Sequence, residues 1–269
     1  MGVSDIEWEK WGRQDPYYSV LTSERFRSGR LDEAARAEFF ASGQWHMDAV
    51  LRACRQYFDP EFKPQRVLDF GCGVGRLLVP FASVAREVVG VDVSPSMLAE
   101  AQRNCAERGL ANVVLARSDD ELSLVEGRFD LVHSAITLQH IEVPRGRRLF
   151  GRLVELLAPQ GVGAIQITYA KAYHPENHGQ PPPPVLPEAL QPAANSLGRL
   201  LRRGAREIEA RLDEPTGPGA DPEMMMNPYN LSELAFLMQS AGIPRFHAEF
   251  TDHGGELGVF LYFRRQVAA

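Results

Sequence analysis

An α/β fold built on a parallel sheet is predicted by three features of this 269-residue chain. Strand-like and helix-like runs alternate from residue 66 onward. The strand-like runs are continuously apolar, as in sheets covered by helices on both faces. A glycine-rich turn, Gly71-Cys72-Gly73-Val74-Gly75, joins the first strand-like run to the first helix-like run. Open parallel sheets hold their ligands at such strand ends.

The elements follow in order. Residues 1–58 read as an N-terminal helical cap segment. Its first thirty residues are rich in aromatic and charged side chains, and residues 31–58 carry Ala35, Phe39, Phe40, Val50, Leu51 and Cys54 at the spacing of one or two helices. The core, residues 59–170, has strand-like runs at 66–70, 87–92, 112–115, 129–134 and 163–168, and helix-like runs at 76–85, 95–108 and 145–157. Ser94 before Pro95 is an N-cap followed by proline at the first helical position. Residues 171–228 break the alternation with prolines at 181–184 and an arginine-rich stretch (Arg199, Arg202, Arg203, Arg206, Arg211). This insertion reads either as a substrate cap over the C-terminal edge of the sheet or as a solvated linker with one short helix. Residues 229–269 return to the core with a helix at 230–241 and strands at 245–250 and 257–263.

Composition excludes some classes. A net charge of −6 argues against broad attraction to nucleic acid. Cys54, Cys72 and Cys105 form no CxxC pair, and an odd number argues against a disulfide framework. His174 and His178 have the spacing of a zinc helix, but Pro175 spoils it and no metal is expected. The N-terminus lacks an apolar signal region and no apolar run is long enough to span a membrane, so a soluble, cytoplasmic protein is expected.

The glycine turn narrows the ligand. A dinucleotide fingerprint would place its third glycine where Arg76 stands, and the Gly-Lys-Ser/Thr of a phosphate loop is absent. Asp69 instead precedes the first glycine by two residues, and Asp92 ends the second apolar run. A carboxylate at Asp69 repels a pyrophosphate and attracts an ammonium group. An acid at the tip of the second strand commonly accepts from ribose hydroxyls. A ligand with a ribose and an amino-acid end, but no phosphate, is S-adenosylmethionine.

With these residues in view, the chain resembles the Rossmann-like (class I) S-adenosylmethionine-dependent methyltransferases. The matching segments are Asp69-Phe70-Gly71-Cys72-Gly73-Val74-Gly75, Gly90 to Met97, Arg117-Ser118-Asp119-Asp120 and Phe129 to Ser134. The resemblance covers about residues 60 to 170, with a weaker extension over the last forty. It implies a mostly parallel seven-stranded sheet with an antiparallel last strand, helices on both faces, and S-adenosylhomocysteine as product. It also implies cofactor contacts: Asp69 toward the ammonium, Gly71, Cys72 and Gly73 lining the turn, and Asp92 on the ribose. Val93 and Met97 are placed beside the adenine, Asp119 or its rival Asp120 on the adenine amine, and Ser134 and Ala135 beneath the methyl group.

Methyl transfer from a sulfonium needs the nucleophile held in line, and a base only where the acceptor must lose a proton. His140, just past the fourth strand, and His253, in Asp252-His253-Gly254-Gly255, are the two candidates. Trp11, Tyr17 and Tyr18 read either as a lid over the cofactor or as packing anchors. The function expected is methyl transfer to an O or N atom of a small-molecule or glycan-type acceptor. An RNA or protein methyltransferase, supported only by the arginine stretch, and a non-catalytic cofactor-binding module are the alternatives.

Overall fold

The computed structural model describes residues 3–171 and 221–266. All of these except Asp221 and Pro222 fall in one compact unit. Seven strands form a single sheet: β1 (Arg66–Phe70), β2 (Glu87–Asp92), β3 (Val113–Arg117), β4 (Phe129–Ser134), β5 (Leu157–Lys171), β6 (Phe246–His253) and β7 (Glu256–Arg264). Their order is β3-β2-β1-β4-β5-β7-β6. The first five strands pair in parallel, and β7 runs antiparallel to both β5 and β6. The last strand is thus antiparallel, as expected, but it lies inside the sheet with β6 at the edge.

Both faces of the sheet are covered, which is why the central strands carry no polar alternation. Leu68, Phe70, Val132, Ile165 and Val259 pack under α6 (Val143–Glu155) and α7 (Leu231–Ser240). Val67, Leu131, Ala164, Phe260 and Tyr262 pack under α3 (Glu33–Tyr57), α4 (Leu78–Val84) and α5 (Pro95–Glu107). Ser94 caps α5 as the sequence indicates, its hydroxyl accepting from the Met97 amide at 3.1 Å.

The N-terminal segment is more regular than its composition suggests. Within residues 31–58 a single long helix forms, α3, capped by Asp32, which accepts from the Ala35 amide at 2.7 Å. It is preceded by α1 (Val3–Gln14) and the short α2 (Pro16–Val20). Gly43 lets α3 lie against the turn after β1, because a Cβ there would overlap the Arg76 carbonyl oxygen.

Several boundaries shift by a few residues from those expected, and two of the shifts have a visible cause. Asn112 stands outside β3, its amide donating to the Ala82 and Ala85 carbonyls at 2.9 and 3.0 Å. Its side chain thus closes the end of α4. β5 begins at Leu157, which pairs with Phe129 before a register shift restores pairing at Val162. The polar Pro159-Gln160-Gly161 stretch inside that shift hid the early pairing. Most of the 171–228 insertion, with its proline run, its arginines and His174 and His178, lies outside the described residues. Its end returns to the core: the Asn227 amide donates to the Gln139 carbonyl at 2.7 Å and the Tyr229 amide to Thr168 at 2.8 Å.

Candidate functional site

The strand order reverses direction between β1 and β4, and a crevice opens beyond their C-terminal ends. A cavity of about 930 Å³, its solvent-open mouth included, occupies this place. Asp69 to Gly73 from the end of β1, Asp92 and Val93 from β2, and Ala135 to Thr137 after β4 supply three of its walls. Met97 from α5 supplies another part.

The glycine turn is tied down by its own backbone. Gly71 holds φ at 76°, in the left-handed region, and a Cβ there would overlap the Thr137 side chain. The Gly71 and Cys72 amides donate to the Val91 carbonyl at 2.8 and 3.0 Å, and the Gly75 amide donates to Cys72 at 2.9 Å. The Gly73 amide donates to Asp92 Oδ2 at 2.9 Å. Three of these four donors hold the turn against β2 and the fourth closes the turn on itself, so none of the four is left for a phosphate. That arrangement fits a phosphate-free ligand.

Asp92 sits at the junction. Its other oxygen accepts from the Ser94 amide at 2.9 Å, and each oxygen keeps a second acceptor position. Desolvation pushes its pKa up to about 6, against the pull of these amides and with the like charge of Asp69 adding to it. Asp69 is 2% exposed and accepts at Oδ1 from His133 Nδ1 at 2.8 Å.

Arg76, which the sequence reading used only to reject a dinucleotide, also lines the cavity. Desolvation lowers its pKa to about 10, with Asp69 pulling the other way, so it remains a cation at neutral pH. Its Nε has no hydrogen-bond partner among the described residues, and Nη1 makes only a long 3.5 Å contact to Ser42 Oγ. A buried cation so weakly satisfied is costly unless an anion completes it.

His140 ends a single 3₁₀ turn, Leu138–His140, and borders the cavity. Its Nδ1 lies 2.7 Å from the Met225 carbonyl, which only accepts, so Nδ1 carries the proton and Nε2 is the basic nitrogen. Desolvation pushes its pKa down to about 4, opposed by the Met225 bond. The Trp8 ring meets it edge-on at 4.8 Å.

Several expected residues stand elsewhere. Asp119 turns away and caps its own loop, accepting from the Glu121 and Ser123 amides at 3.1 and 2.9 Å. Ser118, one residue earlier, faces the cavity instead. Asp120 is engaged by Arg145 Nε at 2.6 Å and stands behind the wall that Arg145 forms. Ser134 is fully buried beneath the floor and donates to the Phe70 carbonyl at 3.0 Å. His253 lies at the exposed β6–β7 turn opposite Glu256, outside the cavity lining, in a hairpin closed by the Gly255 amide donating to Asp252 at 2.7 Å. A turn signal there outweighed a catalytic one.

The aromatic residues of the N-terminal segment are anchors. Trp11 packs with Val74 and Met97, the Tyr17 hydroxyl lies 2.6 Å from Glu100 Oε1, and Tyr18 carries the Arg27 guanidinium over its ring. Trp8, Ser4, Asp5 and Val20 face the cavity instead. Of the two readings of Trp11, Tyr17 and Tyr18, the structure gives the packing anchors, and other residues of the same segment border the cavity. Treating residues 3–14 as a helix would have placed Asp5 and Trp8 on one face, one turn apart.

Comparisons with known proteins agree with this geometry. Residues 67–161 match a family model described as a methyltransferase domain. The chain is 33% identical over 127 residues to norajmaline N-methyltransferase of Rauvolfia serpentina, covering 46% of this chain and 42% of that protein. It is 33% identical over 98 residues to a ubiquinone biosynthesis O-methyltransferase of Rhodopseudomonas palustris, covering 36% and 37%. The chain therefore spans less than half the length of these relatives. Among solved structures, the magnesium protoporphyrin IX methyltransferase of Synechocystis PCC 6803 with bound SAH superposes with a TM-score of 0.59 at 17% identity, covering 98% of this chain and 99% of that one. Residues 67–161 thus carry a methyltransferase domain, and the strand order with the glycine turn between two acids gives it the Rossmann-like fold of the class I S-adenosylmethionine-dependent methyltransferases.

Proposed function

We propose that this protein transfers a methyl group from S-adenosylmethionine to an oxygen or nitrogen of a small-molecule or glycan-type acceptor. The observation that carries the cofactor assignment is the pair Asp69 and Asp92 at neighbouring strand ends, around a turn in which the Gly71, Cys72, Gly73 and Gly75 amides are already engaged. In this reading Asp92 accepts from the ribose hydroxyls, Val93 and Met97 flank the adenine, and Asp69 faces the ammonium. Arg76 would hold the carboxylate of the amino-acid end. Bound there, the cofactor supplies an electrophilic methyl group on a sulfonium.

What the chain adds is position and proton transfer. His140 has its Nδ1–H fixed by Met225 and a pKa near 4, so Nε2 is unprotonated and available at neutral pH. It would accept the acceptor's proton at Nε2. Trp8 and Val20 wall the same space and restrict water. The small-molecule class is supported by a partly enclosed cavity and by relatives whose names include N- and O-methyltransferases.

The test is transfer of labelled methyl from S-adenosylmethionine across panels of hydroxyl, amine and sugar acceptors. Label in a low-mass product that His140→Ala forms much more slowly supports the reading. Binding of the donor without turnover on any panel would favour a non-catalytic module, and label appearing only in RNA or protein would overturn the acceptor class.

A further inference from the structure

Behind Asp69 stand two histidines that the proposed chemistry does not use. Asp69 and His133 are register partners on β1 and β4, so their side chains leave the same face of the sheet, toward α3. His133 Nδ1 lies 2.8 Å from Asp69 Oδ1, and His133 Nε2 lies 3.0 Å from His46 Nε2 on α3. His133 is fully buried. The rings of Phe81 and Phe260 flank it, and Phe260 also packs against His46. A hydrogen-bonded row in such an apolar sleeve is strengthened, and losing one member leaves the others unsatisfied at high cost.

Proton placement gives the row a direction. A carboxylate only accepts, so His133 Nδ1 carries the hydrogen it gives to Asp69. The contact between the two Nε2 atoms then needs one N–H and one lone pair. Donation from His46 to His133 leaves both rings uncharged, whereas the reverse would need a doubly protonated His133. His46 suits the donor role, because desolvation holds its pKa down to about 2 and keeps it an uncharged ring. Asp69 Oδ2 has no hydrogen-bond donor among the described residues, and Asp69 borders the cavity.

We propose that His46 and His133 are positioning residues, a buried relay that turns Asp69 Oδ1 inward and presents Oδ2 to the ammonium of the bound amino-acid end. This rests on the reading that Asp69 meets that ammonium. The relay reaches across from α3, so the long N-terminal helix sets the geometry of the ligand's charged end.

Calorimetric titration of the full chain with two ligands tests it: S-adenosylhomocysteine, and 5′-methylthioadenosine, which has adenine and ribose but no amino-acid end. His133→Leu should weaken S-adenosylhomocysteine about tenfold or more, the scale of a hydrogen bond to a charged group, and leave 5′-methylthioadenosine unchanged. His133→Asn, which keeps a donor near the Nδ1 position, should restore most of the loss. Should His133→Leu not fold, His46→Leu applies the same comparison, with a selective loss of about threefold or more. Equal losses for both ligands, or no loss for either, would overturn the relay. A wild type that binds neither ligand would overturn the cofactor reading beneath it.

Discussion

At the residue scale, two titrating groups in the cavity respond to pH in different ranges. Desolvation raises Asp92 to about 6, so its carboxylate gains a proton as pH falls through that value and would then accept more weakly from the ribose hydroxyls proposed to bind there. The affinity for S-adenosylhomocysteine should therefore fall as pH is lowered from about 8 to 5, and Asp92→Asn should be weaker throughout and flat over that range, as followed by calorimetry. Asp92→Ala should weaken binding by roughly 1.5–3 kcal/mol. His140, held down at about 4, stays unprotonated across the same range. With ligand saturating, the rate on an acceptor that must lose a proton should show no histidine-like fall near pH 6.5. His140→Ala should lower that rate about 100-fold or more in steady-state assays while leaving cofactor affinity nearly intact.

At the element scale, α1 is fastened to the first turn of α5. Ser94 caps α5 and donates to Glu9 Oε2 at 2.7 Å, and the Ser96 amide and hydroxyl reach the same carboxylate at 3.1 and 2.8 Å. Desolvation would raise Glu9, but these bonds and Arg13 pull it down to about 2. Ser94→Ala removes the cap and one of the ties to α1. It should lower stability by about 1–2 kcal/mol in urea unfolding, and it should also loosen the Met97 and Trp8 walls, so that S-adenosylhomocysteine binds more weakly. The cap itself was readable, because serine before proline at the start of an apolar-periodic run has one dominant explanation. The tie to Glu9 was not, because it joins residues 85 positions apart. The same holds for Trp8 and Trp11: both are aromatic residues of one helix, and only packing against α5 decides which of them faces the ligand.

For the molecule as a whole, the buried histidines contribute to the acid limit. Sign matters here. His46 and His140 have folded pKa values below the 6.5 of the unfolded chain, so their contribution to stability is present above 6.5 and is lost as pH falls toward about 4. Asp92 acts oppositely: raised from 3.8 to about 6, it favours the fold most at low pH and loses that contribution as pH rises through about 6. Two histidines outweigh one carboxyl between these limits. The midpoint of thermal unfolding should decline as pH is lowered from 6.5 toward 4, and His46→Gln should flatten that decline.

The sheet, its helices and the two acids around the glycine turn were legible in the sequence because each depends on residues near one another in the chain. Strand runs, caps and the β1 turn are local patterns, and the family's segments lie in order along the chain. Arg76, Trp8, Arg145 and the His46–His133 pair were not legible as site residues, because each gains its meaning from a partner on another element. His133 looks like any polar residue in a strand until β1 and β4 are placed side by side and α3 is laid across them. Asp119 and Asp120 show the converse: the motif located the loop, but which acid turned into a cap and which into an ion pair was settled by Ser123 and Arg145. Chain-local physics fixed the scaffold and the class of ligand. Long-range packing decided which side chains face the ligand, since burial and charge pairing exist only after distant segments meet.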